Sequence, residues 1–291
     1  MLVRFRREHQ WQIREWGFTL RLLGRNPSAV AGFTIIALMV LLAIFAGTLT
    51  RYDPIKISLR ERLSPPSSTH LFGTDELGRD ILSRIMHGAR ISLRIGVLVV
   101  LIAGGLGSII GAVCGYAGKA LDTVVMRVLD VILSFPPLVL ALALAAALGP
   151  NLNNAIFAVA FVMIPKFARL VRGEALAVKE RQFVSAARAA GARPLWIVVH
   201  HILPNCLSSV IVLATLVLGE AILIAASLSF IGLGAQPPTP EWGAMVSVGR
   251  KFLLHQWWYA TFPGLFILVT VIGFNIFGDA LRDVLDPRIR R

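Results

Sequence analysis

Residues 131–165 read VILSFPPLVLALALAAALGPNLNNAIFAVAFVMIP and contain no charged side chain. A helix of about 20 residues is enough to cross the hydrocarbon core of a bilayer, so this stretch is too long for one crossing. Its centre, LGPNLNN at residues 148–154, combines helix breakers with residues that favour turns. The stretch therefore predicts two membrane helices joined by a short hairpin.

The same apolar character extends over the rest of the chain. Hydrophobic residues make up 56% of the 291 residues and charged residues only 15%, which excludes an ordinary soluble protein with its roughly 25% of charged residues. The segment that opens at Pro194 holds a histidine pair and Pro204, so we expect its span to begin only near Leu207. We predict an all-α polytopic membrane protein with six transmembrane helices, at residues 28–50, 91–117, 121–147, 154–171, 207–234 and 261–281.

Basic residues indicate which ends of the spans face the cytoplasm, because Lys and Arg concentrate on that side. If both termini are cytoplasmic, the segments inside carry 19 of the 29 Lys and Arg residues. We therefore expect a multi-pass protein of the bacterial inner membrane with both termini in the cytoplasm and with loops 51–90 and 236–260 outside. The net charge of +13 is then explained by contact with membrane lipid head groups, and it needs no nucleic-acid partner.

A long cytoplasmic loop is predicted at residues 172–206, between the fourth and fifth spans. It reads RGEALAVKERQFVSAARAAGARPLWIVVHHILPNC. Good helix formers predict one helix over residues 174–190, closed by Gly191 as its C-cap. A second helical segment is expected to start with Pro194 in its first turn.

One face of the first predicted helix is suited to close contact. Phe183, Ala187 and Ala190 share this face by their spacing, and Val184 lies beside them. Small alanines allow another surface to approach. Two alternatives follow from these residues alone: the helix docks in a partner's groove, or it packs against the chain's own membrane domain.

The same loop carries a family pattern. Ala186-Ala187, then Gly191 and then Leu203-Pro204 resemble the "EAA loop" of ABC importer permeases, in which Glu-Ala-Ala is followed by a glycine and a closing Leu-Pro. Ser185 departs from this pattern, because the family usually has Glu there. Three further strings, FGTDELGRDI at 72–81, FIGLGAQPPTPEWG at 230–243 and GDALRDVLDP at 278–287, resemble the C-type subunits of the dipeptide/oligopeptide permease family.

This resemblance implies a type I ABC importer permease fold with an N-terminal extra span. It implies a function as half of a translocation pore for peptides or peptide-like solutes. The implied partners are a homologous B-type permease subunit, two cytoplasmic ATPase subunits and an extracytoplasmic solute-binding protein. ATP and Mg belong to the ATPase subunits, so we expect no cofactor in this chain. The residues that the resemblance assigns to ATPase coupling are Glu180, Phe183, Val184, Ala186, Ala187, Gly191, Leu203 and Pro204.

The resemblance also suggests how the chain is divided. The expected parts are a cytoplasmic N-terminal segment (1–27), the first span with its external loop (28–90), a permease core domain (91–281) and a cytoplasmic tail (282–291). Neither a Gly-x-x-x-x-Gly-Lys-Ser/Thr phosphate loop nor a hydrolase motif occurs in the sequence. We therefore expect no enzymatic activity in this chain, and ATP hydrolysis is expected on separate subunits.

Glu220 is the only acid deep inside a predicted span, and a carboxylate in the membrane is costly unless it has a function or a partner. One alternative places it on the translocation path, where it contacts a substrate's amino group. The other makes it a structural group that is hydrogen-bonded between helices. A rival function, an ion- or proton-driven secondary transporter with Glu220 as the coupling group, lacks the paired, interrupted half-spans typical of such carriers.

Two other patterns concern packing. Gly107, Gly111 and Gly115 repeat every four residues, the spacing that allows two membrane helices to approach closely, and we favour this over a gating hinge. Asp122 and Asp130 lie near the start of the third span with a basic residue between them, which predicts an ion cluster at the membrane interface.

Overall fold

The computed structural model describes residues 21–285, so the predicted N-terminal segment and C-terminal tail lie largely outside the described residues. Within this range the chain is helical, and its only β-type pairing is a single bridge between Thr74 and Asp80. The helices are α1 (Pro27–Leu49), α2 (Ile81–Ala117), α3 (Lys119–Leu133), α4 (Pro137–Leu148), α5 (Leu152–Val178), α6 (Gln182–Ala189), α7 (Pro194–Ile197), α8 (Leu203–Ile231), α9 (Trp242–Gly249) and α10 (Trp258–Leu285).

Among residues 21–285, five helical segments are long and apolar enough to cross a membrane: α1, α2, α5, α7 continued by α8, and α10. The sixth is α3 with α4, which meet at an angle of 92°. The span predicted over 121–147 is therefore broken into two helices, which together are apolar enough to cross the membrane. The bend lies at the sequence Phe135-Pro136-Pro137, because proline has no amide hydrogen to donate to the preceding turn. The hairpin predicted around residues 148–154 is confirmed, since α4 ends at Leu148 and α5 begins at Leu152.

Two other helices begin earlier than predicted. α2 starts at Ile81, ten residues before the predicted start of the span at 91, and Asp80 caps it by accepting a hydrogen bond from the Ser83 amide at 2.7 Å. The charged residues in its first turns concealed this helical segment in the hydropathy pattern. The helix expected from Leu207 already starts at Leu203 and continues α7 through a π-helical turn. Pro204 lies in the first turn of α8, where a missing amide hydrogen costs little.

The core is built where α2, α5 and α8 meet. The glycine stripe of α2 touches α5: a Cβ on Gly107 would lie 2.6 Å from the Phe167 Cβ, and one on Gly115 would lie 2.7 Å from the Ala175 Cβ. The interpretation of this stripe as a packing surface is confirmed. Fully buried apolar side chains from the three helices fill the contact, among them Val99, Ala103, Val159, Met163, Val217 and Leu228.

At one end of the helices, residues 51–80 and 232–257 form a packed layer, called the loop layer below. In it, Asp75 is fully buried and accepts a hydrogen bond from Arg79 Nε at 2.6 Å. The buried indole of Trp242 donates to the Ile85 carbonyl at 2.9 Å and so ties α9 to α2. The sequence predicted irregular loops here, and α9 was missed because it has only eight residues.

The two tryptophans at the start of α10 have different surroundings. Trp257 is half exposed, whereas Trp258 is buried against the loop layer. The Trp258 ring packs with Trp242 and Tyr259 in an apolar cluster, so of the two tryptophans only Trp257 is open to the surroundings.

Candidate coupling surface and charged residues of the spans

The loop at 172–206 contains two helices where one was predicted over 174–190. α5 extends to Val178, the chain turns at Lys179 to Arg181, and α6 then runs from Gln182 to Ala189. The break lets the fully buried Val184 return into an apolar cluster with Val171 and Ala175 of α5. A continuous helix over 174–190 would carry the Val184 side chain away from that cluster. The burial of Val184 therefore accounts for the break between α5 and α6.

The predicted glycine C-cap is confirmed. Gly191 has a φ of +81°, in the left-handed region that favours glycine, and it follows the last turn of α6. Its amide donates to the Arg188 carbonyl at 3.0 Å, and the next amide, of Ala192, donates to Ala187. The chain then enters α7 with Pro194 in the first turn, also as predicted.

The predicted coupling residues divide between a buried and an exposed set. Val184 is fully buried, and Ala187 is half buried beside it. Phe183, Ala186 and Gly191 are exposed. α6 therefore packs against its own membrane domain with one face and leaves the other face open, so features of both alternatives are present. Of the remaining predicted coupling residues, Glu180 and Pro204 are exposed and Leu203 is half buried.

An aromatic surface that the sequence did not indicate continues the open face of α6 onto α7. Leu195 is 69% exposed, and the exposed Trp196 stacks on His200 with ring centroids 4.6 Å apart. The His201 ring lies 5.6 Å from the Phe183 ring and 5.1 Å from the Trp196 ring, and so joins the two helices. We call this the α6–α7 surface, formed by Phe183, Ala186, Leu195, Trp196 and Val199. The signal in the sequence is the pair Leu195-Trp196 beside Pro194, which is unusually apolar for a predicted loop.

Three basic residues along α5 each form an ion pair with another helix. Lys166 binds Glu220 of α8 at 2.6 Å, and Arg169 binds Asp130 of α3 at 2.6 Å. Arg172 binds Asp122 at 2.5 Å. The predicted ion cluster at Asp122 and Asp130 therefore exists, but its basic partners come from α5.

Glu220 has features of both alternatives, the structural group and the group on the translocation path. Its carboxylate is held by Lys166, so it is hydrogen-bonded between helices. Yet the side chains of Lys166 and Glu220 remain 30% and 36% exposed, so the pair is open on one side. Lys166 was not recognised as a partner because its charge was counted among the cytoplasmic basic residues, although it lies within the predicted span 154–171.

Two cavities open near these charges. One of about 810 Å³ lies between α3 and α5 and is polar; its lining includes Asp122, Arg127, Asp130, Arg169 and Arg172. The other, of about 570 Å³, lies between α8 and α10 and is lined mainly by apolar groups such as Leu223, Phe230 and Ile267.

Comparison with known proteins places this architecture in a family. The sequence profile described as "binding-protein-dependent transport system inner membrane component" matches residues 107–291. A second profile, described as the N-terminal TM domain of oligopeptide transport permease C, matches residues 15–66. The two matches leave residues 67–106 between them, and they cover the first span and the chain from the last part of α2 onward.

Individual relatives agree with these matches along nearly the whole chain. The chain is 51% identical to the probable D,D-dipeptide transport system permease protein of Escherichia coli, over 92% of this chain and 90% of that protein. It is 45% identical to the dipeptide transport system permease protein of Alkalihalophilus pseudofirmus, over 96% and 91%. It is 43% identical to the di/tripeptide transport system permease protein of Pseudomonas aeruginosa, over 91% and 89%. The chain therefore belongs to the family of binding-protein-dependent transport system inner membrane components, as a multi-pass ABC permease of the C-type dipeptide/oligopeptide branch.

Proposed function

We propose that the chain is the C-type permease subunit of an ATP-driven importer of peptides, and that it forms half of the translocation pore. Support for peptides as the substrate comes from the relatives, whose names specify dipeptides, D,D-dipeptides or di- and tripeptides. The other half of the pore is a homologous B-type permease subunit. A solute-binding protein on the outer side delivers the peptide.

The α6–α7 surface is the observation that carries the coupling part of the proposal. It presents exposed aromatic and apolar side chains at the end of α5, in a segment that is otherwise polar. An exposed patch of this kind indicates a protein interface. We assign this surface, with Glu180, Gly191, Leu203 and Pro204 around it, to contact with a cytoplasmic ATPase subunit, while Val184 and Ala187 fasten α6 to the membrane domain.

Rigid attachment is what a coupling element needs. The buried Val184 connects α6 to α5, and Lys179 donates a hydrogen bond from Nζ to the Gly115 carbonyl of α2 at 3.1 Å. A movement of the ATPase subunits would therefore be transmitted to α2 and α5, the two helices with the closest packing in the core. This requires both termini and the 172–206 loop in the cytoplasm, as the basic residues favour, and it treats residues 91–281 as one permease core.

The alternative function, an ion- or proton-driven secondary transporter, is less well supported. Its coupling group, Glu220, is paired with Lys166, and the family is one of binding-protein-dependent transport. ATP and Mg are assigned to the ATPase subunits, and no catalytic role is assigned to this chain.

The test is reconstitution in proteoliposomes with the B-type permease, the two ATPases and the solute-binding protein. We expect uptake of a labelled dipeptide that requires ATP on the ATPase side. We also expect the ATPases to co-purify with the permease pair. Uptake that continues with hydrolysis-deficient ATPases, or is driven by an ion gradient alone, would contradict the proposal.

A further inference from the structure

Lys166 and Glu220 form a pair of opposite charges half-way along two spans. Lys166 lies about 21 Å along α5 from its start, and Glu220 lies about 17 Å from the end of α8, at 1.5 Å per residue. The Lys166 Nζ is 2.6 Å from both carboxylate oxygens of Glu220. Both charges therefore lie more than 15 Å from the nearer ends of these helices, so we infer that they lie within the apolar layer, which is about 30 Å thick.

About one third of each of the two side chains is exposed. Exposed charges at this depth are costly in contact with lipid tails, and in membrane proteins they face a water-filled path or another subunit. The open side of the pair is therefore not a lipid-facing surface.

The neighbouring residues of α8 indicate which of these surfaces it is. The open stripe of this helix follows a spacing of four, three and four residues through Leu216, Glu220, Leu223 and Ser227. Toward one end, Leu223 and Ser227 line the apolar cavity between α8 and α10. Toward the other end, Leu216 lines a cavity of about 400 Å³ with Glu174 and Ser209. The charged pair thus lies between two cavities that open on one face of α8.

We propose that Lys166 and Glu220 face the translocation path and bind zwitterionic peptides transiently, Lys166 the terminal carboxylate and Glu220 the terminal ammonium. This inference rests on the proposed function, because it takes a peptide as the solute. With the path empty, the two side chains neutralise each other. When a peptide arrives, one internal ion pair is broken and two pairs with the peptide form. The charged ends of the peptide leave water at the same time, and this cost offsets most of the gain. Small net binding suits a path that the solute must also leave.

The test measures binding without the solute-binding protein, in the complete permease and ATPase complex in lipid nanodiscs. Cys114 and Cys206, both buried, are replaced by Ser, and Leu223→Cys serves as the reporter one turn from Glu220. We expect a charged, water-soluble thiol reagent to label this cysteine. Leu101→Cys on the exposed apolar face of α2 is the control, and we expect no labelling there.

Three ligands then distinguish the contributions of Lys166 and Glu220 to binding: alanylalanine, its N-acetyl form and its C-terminal amide. We expect alanylalanine to slow labelling at about tenfold lower concentration than either blocked form, since each loses one charge-assisted hydrogen bond. In the Glu220→Gln variant, alanylalanine should lose its tenfold advantage over the N-acetyl form and keep its advantage over the amide. In the Lys166→Gln variant, alanylalanine should lose its tenfold advantage over the amide and keep its advantage over the N-acetyl form.

Protection by all three ligands at equal concentration would overturn the proposal. So would variants that weaken all three ligands equally, because a structural pair does not distinguish peptide termini. The comparison of the three ligands uses the unaltered pair, so it decides the matter even if a variant does not assemble. ATP-dependent uptake without selective protection removes this inference and leaves the proposed function standing. Absence of ATP-dependent peptide uptake removes both.

Discussion

Arg172 of α5 and Asp122 of α3 form a two-pronged ion pair, with Nε 2.5 Å from Oδ1 and Nη2 2.6 Å from Oδ2. The Asp122 side chain is only 11% exposed, whereas most other residues of α3 are open. The pair therefore holds an otherwise lightly attached helix across α5. Together with the bend at Pro136, it fixes α3 over the polar cavity between the two helices.

Breaking the ion pair between Arg172 and Asp122 should destabilise the membrane domain. We expect Asp122→Ala to lower the apparent melting temperature of the purified protein by about 5 °C, because Arg172 loses two charge-assisted hydrogen bonds. Exchange of the charges, Asp122→Arg with Arg172→Asp, should restore at least half of the loss. Asp130→Ala is the control: its pair with Arg169 is more than half exposed, so a smaller change is expected. Equal losses at both positions would contradict this view of α3.

The contact between α2 and α5 provides a second prediction. A Cβ on Gly111 would lie 2.9 Å from the Arg172 backbone nitrogen and 3.0 Å from the Val171 Cβ. Gly111→Ala should therefore force the helices apart and destabilise the protein by about 1–3 kcal/mol. A Cβ on Gly105 of the same helix meets no described atom within 4 Å, so Gly105→Ala should be neutral or slightly stabilising. The two melting temperatures, measured side by side, check the prediction; a loss at Gly105 as large as that at Gly111 would contradict it.

The stability of the folded protein should depend on pH through Glu241 of the loop layer. Its carboxylate is fully buried and accepts hydrogen bonds from the amides of Gly243 and Ala244, both at 2.9 Å. Burial raises the pKa of Glu241 above the usual 4.5, and the amide hydrogen bonds only partly oppose this shift. The folded state thus binds the proton more tightly than the unfolded state, so this contribution to stability is present below pH 4.5 and is lost as the pH rises through the folded pKa.

The measurement compares wild type with Glu241→Gln, which cannot ionise. We expect the melting temperature of wild type to fall relative to the variant as the pH is raised above 4.5, the usual pKa of a glutamate. A constant difference over this range would show that the carboxyl does not titrate there. Glu61→Gln is a suitable control, because the Glu61 side chain lies half exposed on the loop layer.

Most of the fold followed from the sequence, because hydropathy and turn residues act locally. The hairpin at 148–154 was predicted from the length of the apolar stretch and its turn residues, and the close packing of Gly107 and Gly115 was predicted from their spacing. Both are confirmed. The family was predicted from four ordered strings and is confirmed by the matching profiles. Errors arose where a non-local contact decides the outcome. The break before α6 depends on the burial of Val184, which no pattern within the loop reveals.

The charged residues illustrate the same limit. Glu220 was recognised because an acid in an apolar run is rare, but its partner Lys166 lies 54 positions away. Arg169 was counted among the cytoplasmic basic residues and Arg172 was assigned to the loop, although α5 continues through both to Val178. The pairing depends on how the helices pack, so the sequence could predict the presence of ionic groups but not their partners.

Orientation can be tested directly by cysteine labelling. With Cys114 and Cys206 replaced by Ser, Gln236→Cys in the loop layer and Arg181→Cys before α6 both introduce exposed thiols. We expect an impermeant reagent added to intact cells to label position 236 and to label position 181 only after the membrane is permeabilised. The reverse pattern would place the 172–206 loop outside and would leave the coupling assignment without support.

The last prediction concerns the two features that shape the α6–α7 surface. Gly191 has a φ of +81°, and a Cβ there would meet no described atom within 4 Å, so only backbone strain opposes a side chain. Recovery of the ATPases in a pull-down should therefore decrease in the order Gly191, Gly191→Asn, Gly191→Val, because Asn tolerates this conformation and a β-branched residue does not.

Ala186 is exposed on α6, so Ala186→Arg should leave the membrane domain folded and yet block a close-fitting partner. Ala187→Arg should reduce recovery as well, but with a loss of thermal stability, because Ala187 is half buried in the cluster around Val184. Ser185→Glu, which introduces the residue usual in the family, is the matched control and should retain both ATPase recovery and peptide uptake. Normal recovery and uptake in Ala186→Arg and Gly191→Val together would remove the coupling role from α6, since these changes alter its open face and its C-terminal turn while leaving Val184 in place.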